Sequence, residues 1–487
     1  MFFNKLTSSH ISRFKEILGS SHVLSDDENI EKYSRDETED LQFPPEVVLK
    51  PRKAEEISEI LKICNDELIP VTPRGGGTGL SGGALPVLGG VVISMERFNE
   101  IIEIDERNLQ VCVEPGVITQ VLQDAVIEKG LFYPPDPASK GSCFIGGNIA
   151  ENAGGPRAVK YGVTKDYVLN LEVVIPTGEI IWTGANVLKN STGYNLTQLM
   201  VGSEGTLGIV TKIVLRLIPY PARTMLMLVP FFSAEKACEA VSAVFRAGIT
   251  PSALEFMERD AIDWALMYVD KRDTVSNRAT DQNRATVDIK DNIKAHLLVE
   301  VDGNDEEVMF KECEKITEIM ERFGCDEILF ADTARQQETL WELRTNVAEA
   351  VKSNSVYKGE DTVVPRAELP ELLKGVKEIG KKYGFKSICY GHAGDGNMHV
   401  NIIKGEMSDE DWNIKGTGVG LGMLAKGIRE IFELCVKLGG TISAEHGIGW
   451  VQKEYLDIAL AKKQIELQIE IKKIFDPVGI LNPGKIF

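Results

Sequence analysis

The sequence is short of histidine and of positive charge. Only six of its 487 residues are histidine: His10, His22, His296, His392, His399 and His446. Its 54 lysines and arginines are outnumbered by 73 aspartates and glutamates, which gives a formal net charge of −19. A broadly basic nucleic-acid-binding surface is therefore excluded, and an anionic substrate would have to meet cations placed locally in its site.

The sequence also lacks clustered cysteines and long apolar runs. Its eight cysteines are scattered singly, without a C-x-x-C spacing, which argues against iron–sulfur and structural zinc frameworks and favours free thiols in a reducing compartment. No run of about 18 apolar residues predicts a transmembrane helix. Lys5, Arg13 and Lys15 interrupt the stretch that a secretory signal would need. We expect a cytoplasmic protein that reaches a membrane, if at all, through a partner.

What is present is the composition of a globular protein with several domains, at 43% hydrophobic and 26% charged residues. Residues 1–45 have a helical pattern, and residues 46–220 alternate short strands and helices with glycine-dense loops. Residues 221–455 predict strands near 224–231, 252–258, 296–302, 327–331, 360–365, 386–391 and 398–403, with helices between them. This pattern indicates an α+β domain with an antiparallel sheet and helices on one face, followed by a C-terminal segment at 456–487.

The most distinctive loop is PRGGGTGLSGG at Pro73–Gly83, which presents many backbone N–H groups with few side chains. Such a loop can surround an anion, and a pyrophosphate suits it. It contains a formal G-x-G-x-x-G at Gly77, Gly79 and Gly82, but it leads into the predicted strand VVISM rather than into a helix, which argues against a Rossmann site. A glycine-rich turn without a ligand is the alternative.

Together with PPDPAS (Pro134–Ser139), IGGNIAENAGGPRAVKYGVTKDYV (Ile145–Val168) and VGSEGTLGIV (Val201–Val210), this loop resembles the FAD-contacting segments of the vanillyl-alcohol oxidase and p-cresol methylhydroxylase flavoproteins. The resemblance implies an α+β protein with a two-part FAD-binding domain of the p-cresol methylhydroxylase type and an α+β cap domain with an antiparallel sheet. It also implies that the segment 456–487 returns to the FAD-binding domain. The implied cofactor contacts are Arg74, Gly75, Gly76, Gly77, Thr78, Gly79 and Ser81 at the pyrophosphate, Pro135, Asp136 and Ser139 beside the isoalloxazine or its chain, Gly146, Asn148 and Asn152 along the cofactor, and Gly162, Glu204, Gly208 and Ile209 around the ribityl and adenosine parts.

The scarcity of histidine bears on how the flavin is attached. Many members of this superfamily link FAD covalently through histidine or cysteine, but no histidine lies between His22 and His296. A histidyl link in the FAD-binding domain is therefore excluded. Cys143 flanks a flavin segment, although a buried cysteine that packs as a small apolar residue is the favoured interpretation. We expect non-covalent FAD.

Three histidines fall close together in the second half of the chain. His392 closes a predicted strand, a glycine-rich turn follows, and His399 opens the next strand with Asn401 on the same face. Glu445 and His446 lie on a glycine-bounded loop. Two histidines and a carboxylate suit an open site for Zn²⁺, Mn²⁺ or Fe²⁺, while three unrelated polar loop residues are the competing interpretation. His296, on an apolar strand, is expected in the core.

The motifs HAGDGNMHVN and SAEHGIG resemble the signatures of the FAD-linked D-2-hydroxyacid dehydrogenases, which include D-lactate dehydrogenases, glycolate oxidase catalytic subunits and D-2-hydroxyglutarate dehydrogenase. The resemblance implies that His392, His399 and Glu445 bind a divalent metal and that His446 is the catalytic base. It further implies roles for Asn401 and, at the substrate carboxylate, for Arg344 and Lys358, with Arg366 a weaker candidate. Ala348 departs from the hydroxyl-bearing residue of the hydroxyglutarate enzymes, which argues against that substrate.

These residues predict oxidation of a small 2-hydroxy acid to the 2-oxo acid, with hydride passing to the flavin. Arg344 can hold a carboxylate by two hydrogen bonds, and a histidine can accept the hydroxyl proton near neutral pH. Electrons must then leave to oxygen, a quinone, an electron-transferring flavoprotein or a partner subunit, and a homodimer is a further expectation. The alternatives are an NAD(P)H-linked reductase on the same FAD fold and a flavin-bearing electron-transfer subunit of a larger complex.

Overall fold

The computed structural model describes residues 3–275, 289–412 and 422–487. The chain divides into two compact units. Unit 1 comprises Met1–Gly154, Gly162–Tyr220 and Glu445–Phe487, and unit 2 comprises Gly155–Tyr161 and Pro221–Ala444. Unit 1 is therefore built from three stretches of sequence, the last of which begins eleven residues before the segment that the sequence pattern separated at 456.

The strands, in chain order, are β1 (Val23–Leu24), β2 (Val47–Leu49), β3 (Val71–Arg74), β4 (Val91–Ser94), β5 (Ile101–Asp105), β6 (Gln110–Val113), β7 (Leu131–Phe132), β8 (Val168–Val174), β9 (Ile180–Trp182), β10 (Ile209–Arg216), β11 (Ile218–Pro219), β12 (Arg223–Phe231), β13 (Ala253–Glu258), β14 (Ala295–Gly303), β15 (Leu329–Ala331), β16 (Tyr357–Val363), β17 (Lys386–Gly391) and β18 (Asn397–Ile403).

The α-helices are α1 (Ser8–Leu18), α2 (Asp27–Ile30), α3 (Ala54–Asp66), α4 (Thr119–Ile127), α5 (Ile145–Glu151), α6 (Ala158–Tyr161), α7 (Leu196–Met200), α8 (Ala234–Arg246), α9 (Arg259–Val275), α10 (Glu306–Arg322), α11 (Ala334–Thr345), α12 (Val347–Asn354), α13 (Leu369–Tyr383), α14 (Asp409–Trp412), α15 (Met423–Lys437), α16 (Leu456–Ala459) and α17 (Lys462–Phe475). Within the described residues, none of these helices is long and apolar enough to cross a bilayer.

Unit 1 contains a four-stranded sheet in the order β1-β2-β4-β3 and a five-stranded antiparallel sheet in the order β5-β6-β10-β8-β9. The strands β2, β4 and β3 run parallel and consist of buried residues, as is usual for a sheet covered on both faces. Helices α1 and α3 share their core, and Ile480 and Leu481 from the end of the chain complete it. A bridge between Val71 and Leu481 adds this terminal segment beside β3.

Unit 2 is built on one seven-stranded sheet in the order β15-β12-β14-β13-β17-β18-β16. All of its strand pairs are antiparallel, as predicted. Helices α9, α11 and α12 pack on one face through a core that includes Leu298 and Leu343. The prediction of helices on one face only is wrong, because α10 contacts the opposite face, where Cys313 meets Met225. The cause lies in β13 and β14, whose residues are almost all buried and must be covered on both sides.

The predicted elements of unit 2 are largely present, and the seven strands lie within a few residues of their expected positions. The sequence pattern missed α9, which starts at Arg259 directly after β13 without an intervening loop. The N-terminal region is helical only over α1 and α2, together with short turns. Thr7 caps α1 by accepting a hydrogen bond from the backbone N–H of His10, as the serine- and threonine-rich start predicts.

Candidate active site

The glycine loop of unit 1 follows β3 and folds tightly over its end. A Cβ placed on Gly77, where φ is +72°, would overlap the guanidinium group of Arg74, and a Cβ on Gly76 would lie 2.8 Å from the carbonyl oxygen of Ser142. Gly79 differs, because a Cβ there would meet no atom within 4 Å. Gly147, on α5 and against Gly75, has the same open space. A ligand can therefore approach the backbone at these two glycines.

The two ends of the loop carry buried donors. Arg74 donates from Nη2 to the carbonyl oxygen of Arg35 at 2.7 Å, while its Nη1 is buried with no hydrogen-bond partner in the part of the chain described. Burial lowers the pKa of Arg74, although Asp36 opposes the shift. Ser81 Oγ is likewise buried and unpartnered within the described residues. Because buried donors are normally satisfied, these atoms fit a phosphate-bearing cofactor.

The predicted isoalloxazine segment lies between β7 and α5. Asp136 is buried, with a carboxylate oxygen 4.0 Å from Nζ of Lys140. The carbonyl oxygen of Pro135 accepts a hydrogen bond from Gln123, and that of Ser139 accepts from two backbone N–H groups of the following turn. These hydrogen bonds, together with the burial of Asp136, fix the course of this segment before α5.

Several other predicted cofactor residues pack against or bond to neighbouring parts of the chain, and these contacts explain why glycine or asparagine stands at those positions. A Cβ on Gly146 would lie 2.6 Å from Cβ of Pro115, and a Cβ on Gly208 would overlap Val173. Asn148 donates to Thr119 Oγ1 at 2.7 Å, and Asn152 caps α5 at a φ of +54°. Gly162 has a positive φ, and Ile209 packs in the core of unit 1.

Glu204 binds the backbone of the loop with the motif SAEHGIG, which is predicted to carry the catalytic base. Its carboxylate accepts hydrogen bonds from the N–H groups of Ile448 at 2.8 Å and Gly449 at 2.7 Å. Burial raises the pKa of Glu204 to about 7, against the two N–H groups and Lys485, which lower it. Burial likewise raises the pKa of neighbouring Glu151 and lowers that of Lys485 to about 8.

Glu445 and His446 are the first two residues of the last stretch of unit 1. A Cβ on Gly154 would lie 2.7 Å from a carboxylate oxygen of Glu445, so this carboxylate packs directly on glycine backbone. Gly447 and Gly449 both have positive φ, at +79° and +54°, and they allow the sharp course of the chain after His446. The backbone that follows the predicted base is therefore turned by glycine and held by Glu204.

His392 and His399 belong to unit 2, where a hairpin brings them together. β17 ends at Gly391, a short turn spans Ala393–Asp395, and β18 carries His399. The two imidazole rings lie 5.3 Å apart between centroids and are nearly perpendicular at 86°. The predicted hairpin and the pairing of the two imidazoles are confirmed.

Glu255, on β13, is fully buried beneath His392. Both of its carboxylate oxygens lie 2.9 Å from Nδ1 of His392, and Oε2 also lies 2.6 Å from Nη2 of Arg344. Burial alone would raise the pKa of Glu255, but the charges of His392 and Arg344 outweigh it and hold the pKa below its usual value. One carboxylate thus contacts two predicted site residues.

Asp361 lies close to His399 but is not hydrogen-bonded to its Nδ1. The two residues are paired across β16 and β18, with Oδ1 of Asp361 3.5 Å from Nδ1 of His399. The carboxylate also accepts hydrogen bonds from Asn397 at 2.7 Å and from the backbone N–H of Ala444 at 2.8 Å. Asp361 therefore fixes both the start of β18 and the chain that leads to Glu445.

Arg344 and Asn401 add buried donors on the same face of the sheet. Arg344 lies at the end of α11, with its guanidinium carbon 5.0 Å from the ring centre of Tyr390. Its Nε and the Nδ2 of Asn401 are buried and have no hydrogen-bond partner among the described residues. Asn401 follows His399 by two positions on β18, so both side chains share a face. Donors of this kind fit an anionic or carbonyl-bearing ligand.

Lys358 and Arg366 are placed differently. Lys358 pairs with Ile402 on the edge strand β16, so by strand alternation it lies on the face opposite His399 and Asn401. Arg366 stacks on Phe245, with its guanidinium carbon 3.8 Å from the ring centre. Ala348 lies within α12, on the site side of the sheet.

Sequence patterns missed Glu255 and Asp361. Each is a buried acidic residue inside a strand, Glu255 in ALEFME and Asp361 in YKGEDTV. A carboxylate inside a strand is the local signal that could have identified them, because buried carboxylates are rare unless they are paired. Their partners are far along the chain, so no motif spacing connects them.

Comparison with known proteins gives a consistent result. Residues 220–486 match the family described as FAD linked oxidases, C-terminal domain, and residues 45–184 match an FAD binding domain. The chain is 40% identical over 458 residues to the glycolate oxidase subunit GlcD of Bacillus subtilis (strain 168), covering 93% of this chain and 92% of that protein. It is 37% identical over 486 residues to a D-lactate dehydrogenase of Anaerostipes hadrus, covering 99% and 98%.

Among solved structures, p-cresol methylhydroxylase with substrate bound matches with a TM-score of 0.76 over 100% of this chain and 98% of that one. At 19% identity this likeness shows the fold alone. It confirms the predicted p-cresol methylhydroxylase type of architecture, and the relatives confirm the family that the histidine motifs indicated. The chain therefore belongs to the FAD-linked oxidases, and it is a flavin-dependent oxidoreductase.

Proposed function

We propose that this protein oxidises a D-2-hydroxy acid, such as D-lactate or glycolate, to the corresponding 2-oxo acid. The observation that carries the proposal is a pair of buried donors, Arg344 Nε and Asn401 Nδ2, which have no hydrogen-bond partner among the described residues and lie on the sheet face near His392 and His399. A carboxylate substrate would satisfy both donors. Relatives that are glycolate and D-lactate enzymes by name support the same substrate class.

Within this proposal, FAD is bound without a covalent link and supplies the acceptor for two electrons. Cys143 is buried with its Sγ 3.2 Å from Thr119 Oγ1, which supports a packing role for this thiol. The open backbone at Gly79 and Gly147 and the buried donors of Arg74 and Ser81 support the pyrophosphate position.

A divalent metal is proposed at His392, His399 and Glu445, where it would lower the pKa of the substrate hydroxyl. Two observations support the donor set. The rings of His392 and His399 lie 5.3 Å apart between centroids, and His392 has a carboxylate 2.9 Å from Nδ1, the arrangement that second-layer carboxylates give to metal-binding histidines. Glu445 is included among the proposed metal ligands because of its motif. Zn²⁺, Mn²⁺ and Fe²⁺ all accept such ligands.

Individual residues then have distinct tasks. Arg344 binds the substrate carboxylate through its planar fork, and Asn401 donates a further hydrogen bond. His446 is proposed from its motif as the base that accepts the hydroxyl proton as hydride leaves Cα for the flavin. Lys358 is retained as a second carboxylate-binding residue, but its strand register supports that role least.

Electrons leave to an external acceptor in this proposal. All eight cysteines are free, and their scattered positions provide no iron–sulfur ligand set. A quinone, an electron-transferring flavoprotein or a partner subunit would then reoxidise the flavin.

An anaerobic flavin-bleaching assay tests the function. The purified flavoprotein, supplied in turn with Zn²⁺, Mn²⁺ or Fe²⁺, is mixed with D-lactate, glycolate, D-2-hydroxyglutarate or D-malate, and the loss of flavin absorbance is followed. We expect rapid bleaching by at least one acid and none by the L-enantiomers of the chiral acids. His446→Ala should slow it by about a hundredfold or more. Bleaching by NADPH but by no hydroxy acid would overturn the proposal in favour of a reductase.

A further inference from the structure

We propose that Glu255 is a positioning residue that fixes the orientation of the metal-binding histidine His392 and of the substrate-binding Arg344 together. The inference rests on the proposed function, because it assigns no new ligand and instead explains how two proposed site residues are held. Neither the motifs nor the family comparison points to this position.

One buried carboxylate contacts two side chains, His392 by a hydrogen bond and Arg344 by an ion pair. Glu255 lies in the interior of β13 and is completely buried, so water cannot satisfy its carboxylate. Its oxygens both lie 2.9 Å from Nδ1 of His392, and Oε2 lies 2.6 Å from Arg344 Nη2. A buried carboxylate is retained where it is paired, and here both partners have proposed roles in the site.

The contact at Nδ1 determines which histidine nitrogen can bind a metal. With Nδ1–H donating to Glu255, the imidazole keeps its proton on Nδ1 and leaves the Nε2 lone pair for an ion. The ring is also fixed in plane, because a single nitrogen faces both carboxylate oxygens. Glu255 thus selects the tautomer of His392 as well as its rotation.

The same carboxylate restrains Arg344. Nη2 forms an ion pair with Glu255, and the guanidinium carbon lies 5.0 Å from the ring centre of Tyr390, while Nε has no hydrogen-bond partner among the described residues. An arginine held at one nitrogen and stacked on an aromatic ring loses little further freedom when it binds a carboxylate. Loss of Glu255 should therefore weaken substrate binding as well as metal binding.

The strand provides a matched control. Glu258 lies three residues further along β13, is also buried, and pairs with Lys377 at 2.8 Å and with the backbone N–H of Cys389. By strand alternation it faces the opposite side of the sheet from Glu255. Glu258→Gln removes an equivalent buried charge from the same strand without touching His392 or Arg344.

The first measurement uses the metal-free protein and needs no activity. Imidazole ¹⁵N spectra at pH 8, with His392 assigned by comparison with His392→Gln, report which ring nitrogen carries the proton; a chain with only six histidines makes the assignment practical. We expect His392 to be protonated on Nδ1 in wild type and in Glu258→Gln, and to shift towards Nε2–H in Glu255→Gln. An unchanged His392 spectrum in Glu255→Gln would overturn the inference.

The second measurement is Mn²⁺ and Zn²⁺ affinity by calorimetry, with KM for the best hydroxy acid. Glu255→Gln should weaken metal binding about 10- to 100-fold and raise KM, while Glu258→Gln should change neither. Arg344→Met keeps the contact between Glu255 and His392, so it should raise KM with metal affinity preserved, and it serves as the second variant if Glu255→Gln folds poorly. Equal metal affinities in wild type and Glu255→Gln would overturn the inference.

The failure of the inference differs from failure of the proposed function. If wild type binds no metal and its flavin is reduced by no hydroxy acid, the function itself is wrong. If wild type does both and Glu255→Gln behaves as Glu258→Gln does, the function stands and Glu255 has no positioning role.

Discussion

His296 and His392 both lie in unit 2, but their surroundings differ. His392 faces a carboxylate, whereas His296 on β14 is buried with its Nδ1 unpartnered among the described residues. Burial, with a smaller contribution from the charge of Arg259, lowers the pKa of His296 to about 4. The expectation that His296 is a core residue is confirmed by its exposure of 3%.

This environment predicts an acid-sensitive fold. The unfolded chain protonates His296 near pH 6.5, whereas the folded chain holds it neutral until about pH 4, so its contribution to stability is complete above pH 6.5 and is lost as the pH falls. Between pH 7 and 5, wild type should lose about 2 kcal/mol more unfolding free energy than His296→Phe. Urea unfolding at both pH values measures the difference. His22→Phe, at a partly exposed position outside the cores, should follow wild type, and equal losses in wild type and His296→Phe would contradict the prediction.

Arg344→Lys tests whether a planar fork is needed at the substrate carboxylate. Lysine keeps the charge but cannot pair with Glu255 and a substrate in the same plane, so KM for the hydroxy acid should rise at least about tenfold with a smaller change in kcat. Steady-state assays with a dye acceptor measure both constants. Arg335→Lys, at an exposed position near the start of the same helix, should leave KM unchanged. A wild-type KM in Arg344→Lys would remove Arg344 from substrate binding.

Single residues show where sequence patterns suffice and where they fail. The pairing of His392 with His399 could be predicted, because seven residues of strand, turn and strand determine it. Glu255 could not, because its partners are contributed by β17 and α11, which are brought together only by sheet order. The face on which Lys358 lies depends on the strand register, because a shift of one position along β16 would reverse it.

At the scale of elements, α5 offers a pair of adjacent glycines with different surroundings. Gly146→Ala would place a Cβ 2.6 Å from Pro115, so we expect a loss of about 1–3 kcal/mol in stability. Gly147→Ala meets no atom within 4 Å and should leave the melting temperature of the cofactor-free protein unchanged or slightly higher. If FAD passes this open side, Gly147→Ala should nevertheless bind FAD more weakly. Calorimetry and flavin titration compare the two, and equal melting temperatures would contradict the packing argument.

The elements of unit 2 were predictable where turns separate them. Short strand-like segments between helical patterns indicated the seven strands, and glycines marked the turn before β18. Helix α9 was missed because β13 continues into it without an intervening turn. The presence of helices on both faces of the sheet was also not predicted. A fully buried strand has no polar face, so its sequence does not indicate which face is covered.

For the whole molecule, the thiols give a direct test of the fold. Six cysteines are buried, and only Cys112 and Cys325 are partly exposed, with burial raising the pKa of both. Ellman's reagent should therefore titrate no more than these two thiols in the native protein, slowly, and all eight after denaturation without reductant. Cys112→Ser and Cys325→Ser should each remove one native equivalent. Fast reaction of additional thiols would show that the cores are open.

The three-part construction of unit 1 has a consequence for biosynthesis. Asn482 donates to the carbonyl oxygens of Gly83 and Glu204, Lys472 donates to that of Thr206, and Leu481 bridges to Val71. These contacts cannot form while a ribosome is still translating the middle of the message. Unit 1 therefore remains incomplete until residues 445–487 have been synthesised. The main stretch of unit 2, by contrast, is continuous in the sequence and is synthesised before them. We therefore expect FAD to bind only after residues 445–487 have been synthesised.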